Sequence, residues 1–190
     1  METASLILIS GGVRSGKSSF AEKKALERAA HVKGSLHYLA TGVPSDVEME
    51  KRIERHQKER DESLFLWKTW EQSTNIGALA PFFKEQDVIL LDCLTTLLNN
   101  ELFLQESNLN EVLLKQIFHR ILKGIKDIQK KCNQLIVVSN EVLYEPYSDN
   151  ELVFTYYWMI GHLHQEVVKI ANQAYLVEAG VPVLMKGEKS

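Results

Sequence analysis

A glycine-rich loop between a short apolar run and a helix-like segment constrains the fold of this chain more than any other stretch. The letters are ILISGGVRSGKSSFAE, in which GGVRSGKS has the spacing G-x-x-x-x-G-K-[ST]. Glycines let the backbone turn with its N–H groups pointing inward, and the helix start adds the positive end of its dipole. The alternative, a glycine-rich turn that binds nothing, is disfavoured by the strand-loop-helix context. We therefore predict a phosphate-binding loop formed by Gly11, Gly12, Val13, Arg14, Ser15, Gly16, Lys17 and Ser18.

The loop predicts a nucleotide phosphate site with a metal ion. Lys17 can reach the β- and γ-phosphates, and the Ser18 hydroxyl can ligate Mg²⁺. Asp92 ends the apolar run VILLD, where we expect it to hold the same ion. Two alternatives stay open: Asp92 could cap a helix beginning near Leu94, and Glu141 in VVSNEV is a second acid at a strand end.

The rest of the chain alternates short apolar runs with helix-like segments. The runs predict strands at 6–10, 36–41, 88–92, 135–139, 174–178 and 181–185. Helices are predicted at 17–31, 46–60, 73–84, 94–104, 109–132 and 150–172. The first four runs are almost continuously apolar, which is typical of parallel strands covered on both faces. We expect a single α/β domain over residues 1–190, with a mostly parallel sheet and a C-terminal antiparallel hairpin through Ala179 and Gly180.

Composition limits the classes of partner. The 45% hydrophobic and 25% charged residues are those of a soluble globular protein, and the net charge of -3 argues against a nucleic-acid partner. No apolar run approaches the ~20 residues that span a bilayer, and the N-terminal run is too short for a signal peptide. Cys93 and Cys132 are far apart, so reduced thiols are the better interpretation. We expect a cytoplasmic protein.

The stretch EKRIERHQKER, residues 50–60, carries one histidine among eight charged residues. In a helix, Arg52, His56 and Arg60 would share one face, where an anion could bind between them. Two neighbouring guanidinium groups would disfavour the imidazolium form and leave a neutral nitrogen able to attack phosphorus. The alternative is a solvated helix face with an idle histidine, and the pattern alone favours it.

Several stretches in the same order resemble one known family. They are ILISGGVRSGKSSFAE, YLATG, RIERHQKER, KTWE, VILLDCLTTLL, VVSNEV and LVEAGVPVLMKG. The chain resembles the bifunctional adenosylcobinamide kinases and adenosylcobinamide-phosphate guanylyltransferases of cobalamin biosynthesis. The resemblance implies a RecA-like P-loop fold and two reactions. ATP or GTP would phosphorylate the hydroxyl of the aminopropanol arm of cobinamide, and GMP from GTP would then be transferred to the product through a guanylyl-histidine.

The resemblance also implies roles for particular residues. The guanylylated histidine falls on His56, and Asp92 takes the position of the strand-end acid. The guanine-nucleotide site would be lined by Ala40, Thr41, Gly42, Arg60 and Glu71. Mg²⁺ would be the cofactor, and ATP, GTP and cobinamide would be the ligands. The assembly would be a homo-oligomer, as in trimers of the family.

Two segments depart from the family pattern. LYEPYSDN, residues 143–150, stands where a glycine-containing loop is usual, and TYYWMIGHLHQ, residues 155–165, differs as well. Two other functions therefore remain open: a small-molecule P-loop kinase without the transferase step, and a RecA-like nucleotide switch. The acidic net charge argues against a switch that acts on nucleic acid.

Other candidate residues have less support. His119, His162 and His164 suggest a metal site, but the spacing H-x-H points two rings to different sides of a helix. Aromatic side chains could stack on a base or a corrin ring, although core or interface packing is commoner for them. They are Trp67, Trp70, Tyr156, Tyr157 and Trp158.

Overall fold

The computed structural model describes residues 4–43, 66–103, 110–142 and 151–188. The strands are β1 (Ser5–Gly11), β2 (Leu36–Ala40), β3 (Trp67–Glu71), β4 (Val88–Asp92), β5 (Gln134–Asn140), β6 (Gln173–Glu178) and β7 (Val181–Lys186). The helices are α1 (Lys17–Val32), α2 (Leu94–Phe103), α3 (Glu111–Gln129) and α4 (Glu151–Ile170), with a 3₁₀ helix at Ile76–Phe82.

Within these residues, the seven strands form one sheet in the order β3-β2-β4-β5-β1-β6-β7. All neighbouring pairs are parallel except β6 and β7, which form an antiparallel hairpin. The hairpin turns at Ala179 and Gly180, as the sequence predicts, and both residues have positive φ. The α/β fold class and the mixed sheet are therefore confirmed.

Helices cover both faces of the sheet, and this explains why the central strands are apolar on both sides. On one face, α1 presents Ala21, Ala25 and Ala29, whose small side chains at four-residue spacing allow close approach to the strands. The other face is covered by α2, α3, α4 and the 3₁₀ helix. Asn110 caps the N-terminus of the amphipathic α3, and its side chain accepts a hydrogen bond from the Leu113 N–H at 3.0 Å.

A close contact between two glycines joins α3 to the 3₁₀ helix. A Cβ on Gly124 would lie 2.9 Å from Cγ1 of Ile76 and 3.0 Å from the backbone nitrogen of Gly77. A side chain at this point would push the two elements apart.

Two sequence predictions are corrected by the structure. The segment 73–84 was predicted as a helix but forms the shorter 3₁₀ helix, which follows Asn75 at positive φ and contains Pro81. Strand β3 was not predicted, because its alternation is weak and most of its side chains are exposed at the edge of the sheet. The predicted helix at 46–60 lies outside the described residues.

Candidate functional site

The candidate site lies at the edge of the sheet where the parallel strands end. Gly11 pairs with Asn140, and Asp92 pairs with Val138, so β1, β5 and β4 end side by side. The predicted phosphate loop follows β1 and Asp92 ends β4, with β5 between them. The strand order thus brings the two predicted phosphate-handling segments to one edge, although about 80 residues of sequence separate them.

The phosphate loop has the compact conformation that its glycines predict. Gly16 has φ 90° and Arg14 has φ 61°, and the Ser15 N–H donates to the Gly12 carbonyl at 3.2 Å. Lys17 is only 4% exposed, and its Nζ donates to the Gly12 carbonyl at 3.0 Å. Its ammonium is therefore held across the loop, where it can meet a phosphate group.

The C-terminal hairpin supports the loop from behind. The Gly180 N–H donates to the Ser15 carbonyl at 2.8 Å, and a Cβ on Gly16 would lie 3.2 Å from Cα of Gly180. A Cβ on Gly11 would lie 2.4 Å from the Val177 carbonyl oxygen, so this glycine is required by packing. By contrast, a Cβ on Gly12 would meet no described atom within 4 Å, so packing against the described residues does not require this glycine.

The carboxylate of Asp92 accepts a hydrogen bond from a side chain that the sequence did not predict as part of the site. The hydroxyl of Tyr38, a buried residue of β2, donates to Oδ2 of Asp92 at 2.8 Å. This bond fixes the orientation of the carboxylate at the end of β4. No spacing in the sequence signals the pair, because 54 residues separate its members.

The segment Ala40-Thr41-Gly42 is tied to the same place. Thr41 is fully buried, its Oγ1 accepts from the Cys93 N–H at 2.9 Å, and the carbonyl oxygens of Cys93 and Asp92 lie 2.9 and 3.1 Å away. Asn100 donates to the Thr41 carbonyl at 2.8 Å and to the Ser73 carbonyl at 3.1 Å. The Thr41 side chain therefore positions backbone, and its predicted contact with a nucleotide stays a prediction.

Ala40 connects two other predicted residues through the sheet register. It pairs with Glu71 on β3 and with Asp92 on β4, so both acids flank the end of β2. Arg52, His56 and Arg60, which the sequence predicts beside them, lie outside the described residues.

Cys93 and Asn140 complete the polar network beside Asp92. The Cys93 thiol lies 3.1 Å from Oγ1 of Thr95 and 3.0 Å from Oγ1 of Thr96, and Asn140 donates to Thr95 at 3.0 Å. Burial and the neighbouring Asp92 charge raise the pKa of the Cys93 thiol, so it remains protonated at neutral pH.

The lesser candidates occupy separate places. His119 and His162 each contact a carbonyl oxygen one turn earlier in their own helices, while His164 lies 2.7 Å from Oγ of Ser139. In the described part of the chain, no group of three or more His, Cys, Asp or Glu side chains is arranged to hold a metal ion. Of the aromatic residues, Trp67 packs edge-on against Tyr38, and Trp158 is 52% exposed and packs against His162.

Residues 7–185 match the protein family described as cobinamide kinase / cobinamide phosphate guanyltransferase. The bifunctional adenosylcobalamin biosynthesis protein CobU of Salmonella typhimurium is 33% identical over 95% of this chain and 99% of its own length. CobP of Pseudomonas aeruginosa is 31% identical over 95% and 97%, and CobU of Escherichia coli is 28% identical over 95% and 99%.

A solved DnaB-like replicative helicase has a similar fold, with a TM-score of 0.52 at 12% identity, over 92% of this chain and 47% of the helicase chain. This likeness concerns the fold alone. No helix within the described ranges is both long and apolar enough to cross a membrane. The family match spans both the phosphate loop and the strand-end acid, and the chain belongs to the cobinamide kinase / cobinamide phosphate guanyltransferase family.

Proposed function

We propose that this chain phosphorylates the aminopropanol hydroxyl of cobinamide and then transfers GMP from GTP to the product, giving GDP-cobinamide. The observation that carries the proposal is the meeting of the phosphate loop and Asp92 at one sheet edge, within a chain that matches the family from residue 7 to residue 185. The relatives are named as bifunctional proteins of adenosylcobalamin biosynthesis, which agrees with two reactions on one chain.

In the first reaction, the loop binds the phosphate chain of ATP or GTP. The inward backbone N–H groups and the Lys17 ammonium compensate the charge of the transferred phosphoryl group. The hydroxyl oxygen of cobinamide forms a bond to the γ-phosphorus, the bond from the γ-phosphorus to the β,γ-bridging oxygen breaks, and the hydroxyl proton is released. Cobinamide phosphate and a nucleoside diphosphate result.

Mg²⁺ belongs to the proposal because the donors at this edge suit it. Ser18 offers a hydroxyl in the first turn of α1, and Asp92 offers a carboxylate that Tyr38 orients. Hydroxyl and carboxylate oxygens are hard ligands of the kind that Mg²⁺ takes. A bound Mg²⁺ would neutralise charge on the phosphate oxygens.

In the second reaction, we propose His56 as the nucleophile. Its neutral ring nitrogen attacks the α-phosphorus of GTP, pyrophosphate leaves, and GMP stays on the histidine as a phosphoramidate. An oxygen of cobinamide phosphate then attacks the same phosphorus, which frees His56 and forms GDP-cobinamide. Ala40, Thr41, Gly42, Arg60 and Glu71 are proposed to bind the guanine nucleotide.

The assembly is proposed to be a homo-oligomer, as in trimers of the family, in which a neighbouring copy could brace the segment that carries His56. The outer strand β7 supports an assembly of this kind, since it exposes Val181, Val183 and Met185.

The proposal is tested by the products. Incubation of the chain with cobinamide, Mg²⁺ and GTP should yield cobinamide phosphate and then GDP-cobinamide, identified by mass spectrometry. Lys17→Ala should slow the first product by about 100-fold or more, because the cation that stabilises the transferred group is lost. Lys23→Ala, a substitution on the exposed side of the same helix, serves as the matched control.

Undiminished phosphorylation by the folded Lys17→Ala chain would show that the phosphate site is misassigned. Formation of cobinamide phosphate without GDP-cobinamide would support a kinase that lacks the transferase step.

A further inference from the structure

Glu141 is the first residue after β5, and it lies directly beside the phosphate loop. Its backbone N–H donates to the Gly11 carbonyl at 2.9 Å, which extends the pairing of Gly11 with Asn140 by one residue. The residue is partly exposed, so its side chain is accessible from the edge of the sheet.

The strand order places Glu141, at the end of β5, between the phosphate loop and Asp92. The phosphate loop follows β1 and Asp92 ends β4, while β5 separates these two strands. A phosphate chain that is bound by the loop and extends toward Asp92 therefore crosses the end of β5. The described acids at the other strand ends do not lie between the loop and Asp92: Glu71 ends β3, at the outer edge, and Glu178 ends β6, which adjoins β1 on the side away from β4.

Ser139 of β5 and His164 of α4 are in contact on the face of the sheet that carries α4. The Oγ of Ser139, which is fully buried, lies 2.7 Å from Nε2 of His164 on α4. Side chains two residues apart in a strand point to the same face, and the bond from the Glu141 N–H to the Gly11 carbonyl continues the pairing of β5, so the alternation predicts Glu141 on the side of Ser139. Burial lowers the pKa of His164 from 6.5, and the Glu141 charge opposes this shift.

The other described polar groups at this edge are less suited to accept a proton from an alcohol. Lys17 is a cation held across the loop, Asp92 is bound by Tyr38, and Ser139 has no exposed surface. Transfer of a phosphoryl group to an alcohol also needs an acceptor for the alcohol proton, and kinases use a carboxylate near the transferred group. Glu141 is the described acid whose position fits this requirement.

We propose that Glu141 is the general base of the kinase step, an inference that rests on the proposed function. Its carboxylate takes the proton of the cobinamide hydroxyl while the hydroxyl oxygen bonds to the γ-phosphorus. The bond from the γ-phosphorus to the bridging oxygen breaks, the electron pair leaves with the nucleoside diphosphate, and the proton stays on Glu141. In this proposal the carboxylate lies on the side of the sheet that carries His164, where its charge acts on the ring.

The test separates the kinase step from the guanylylation step in one set of proteins. Glu141→Gln keeps the size of the side chain but removes the base, so phosphorylation of cobinamide should slow by about 100- to 10,000-fold. Labelling of the protein by α-labelled GTP should fall far less, because that reaction has no acceptor alcohol. The control is Glu178→Gln, which makes the same acid-to-amide change at the end of β6, on the other side of β1. It should alter neither rate.

Glu141→Asp provides a second variant that keeps the charge. It should phosphorylate cobinamide faster than Glu141→Gln, because the shorter aspartate still carries a carboxylate that can accept the proton, whereas the glutamine amide cannot. In Glu141→Gln, NMR titration should also show the pKa of His164 shifted further down, because the carboxylate that raises it is gone.

Four results would overturn the inference. They are a folded Glu141→Gln chain that phosphorylates at the normal rate, equal losses of phosphorylation and labelling, no advantage of aspartate over glutamine, and an unchanged pKa of His164. An unmodified chain that makes no cobinamide phosphate would instead refute the kinase half of the proposed function, and the inference with it.

Discussion

At the scale of single residues, His37 shows how a buried titratable group is held. It is 3% exposed, and its Nδ1 accepts a hydrogen bond from the Trp70 indole N–H at 2.9 Å. In the neutral ring the proton therefore sits on Nε2, which lies 3.2 Å from Oδ2 of Asp87 but is poorly aligned for a hydrogen bond. The ring of His37, on β2, thus contacts Trp70 on β3 and Asp87, the residue before β4.

Burial lowers the pKa of His37 from 6.5; the Asp87 charge opposes this shift and the Lys68 charge adds to it. Below about pH 6.5 the unfolded chain takes up a proton that the folded chain resists, so the free energy of unfolding should fall as the pH drops. His164, whose pKa is also lowered by burial, acts in the same direction. Urea denaturation at several pH values between about 7.5 and 5.5 measures the effect.

The control for this prediction is His37→Gln, whose amide can accept from Trp70 and cannot titrate. Its free energy of unfolding should be lower overall but should depend less on pH in the same range. An equal pH dependence in both proteins would mean that His37 is protonated alike in the folded and unfolded chains.

At the scale of elements, a buried ion pair joins α2 to α3. Glu101 is 2% exposed, accepts from Nε of Arg120 at 3.1 Å and also accepts from the Asn75 N–H at 2.8 Å. One carboxylate therefore fixes two helices and the turn before the 3₁₀ helix. The partner Arg120 is partly solvated, with 39% of its side chain exposed.

Arg120→Met should lower the free energy of unfolding by about 2 kcal/mol, because it leaves the Glu101 charge buried without its cation. This value is below that for a fully buried pair because solvent screens the exposed part of Arg120. Lys123→Met is the matched control, since it breaks an exposed pair with Asp127 on the same helix and should cost about 0.5 kcal/mol or less. Chemical denaturation measures both, and equal small losses would contradict the role of the buried pair.

The elements also show which parts of the fold the sequence could predict. Apolar runs covered on both faces identify β1, β2, β4 and β5, and the amphipathic pattern identifies α3. β3 could not be found this way, because an edge strand with exposed Lys68 and Glu71 lacks the apolar signal. The 3₁₀ helix depends on Asn75 at positive φ, which the helix-like pattern of 73–84 does not reveal.

At the scale of the whole molecule, the site depends on which strands are neighbours. The motif predicts the phosphate loop, and the strand-end position predicts Asp92, but neither predicts that β5 lies between them. Tyr38 and Asn100 could not be predicted, since a side chain that bonds a distant carboxylate or carbonyl leaves no spacing in the sequence. The role of His56 rests on the sequence and the family, and it stays a prediction.

The measurement that tests the central claim most directly is covalent labelling with α-labelled GTP. The unmodified chain should retain the label in an adduct that acid breaks and alkali does not, as expected for a phosphoramidate. His56→Ala should retain none, while His119→Ala, which changes an exposed histidine of α3, should be labelled normally. An unmodified chain without label, or a His56→Ala chain with equal label, would contradict the guanylyl-histidine mechanism.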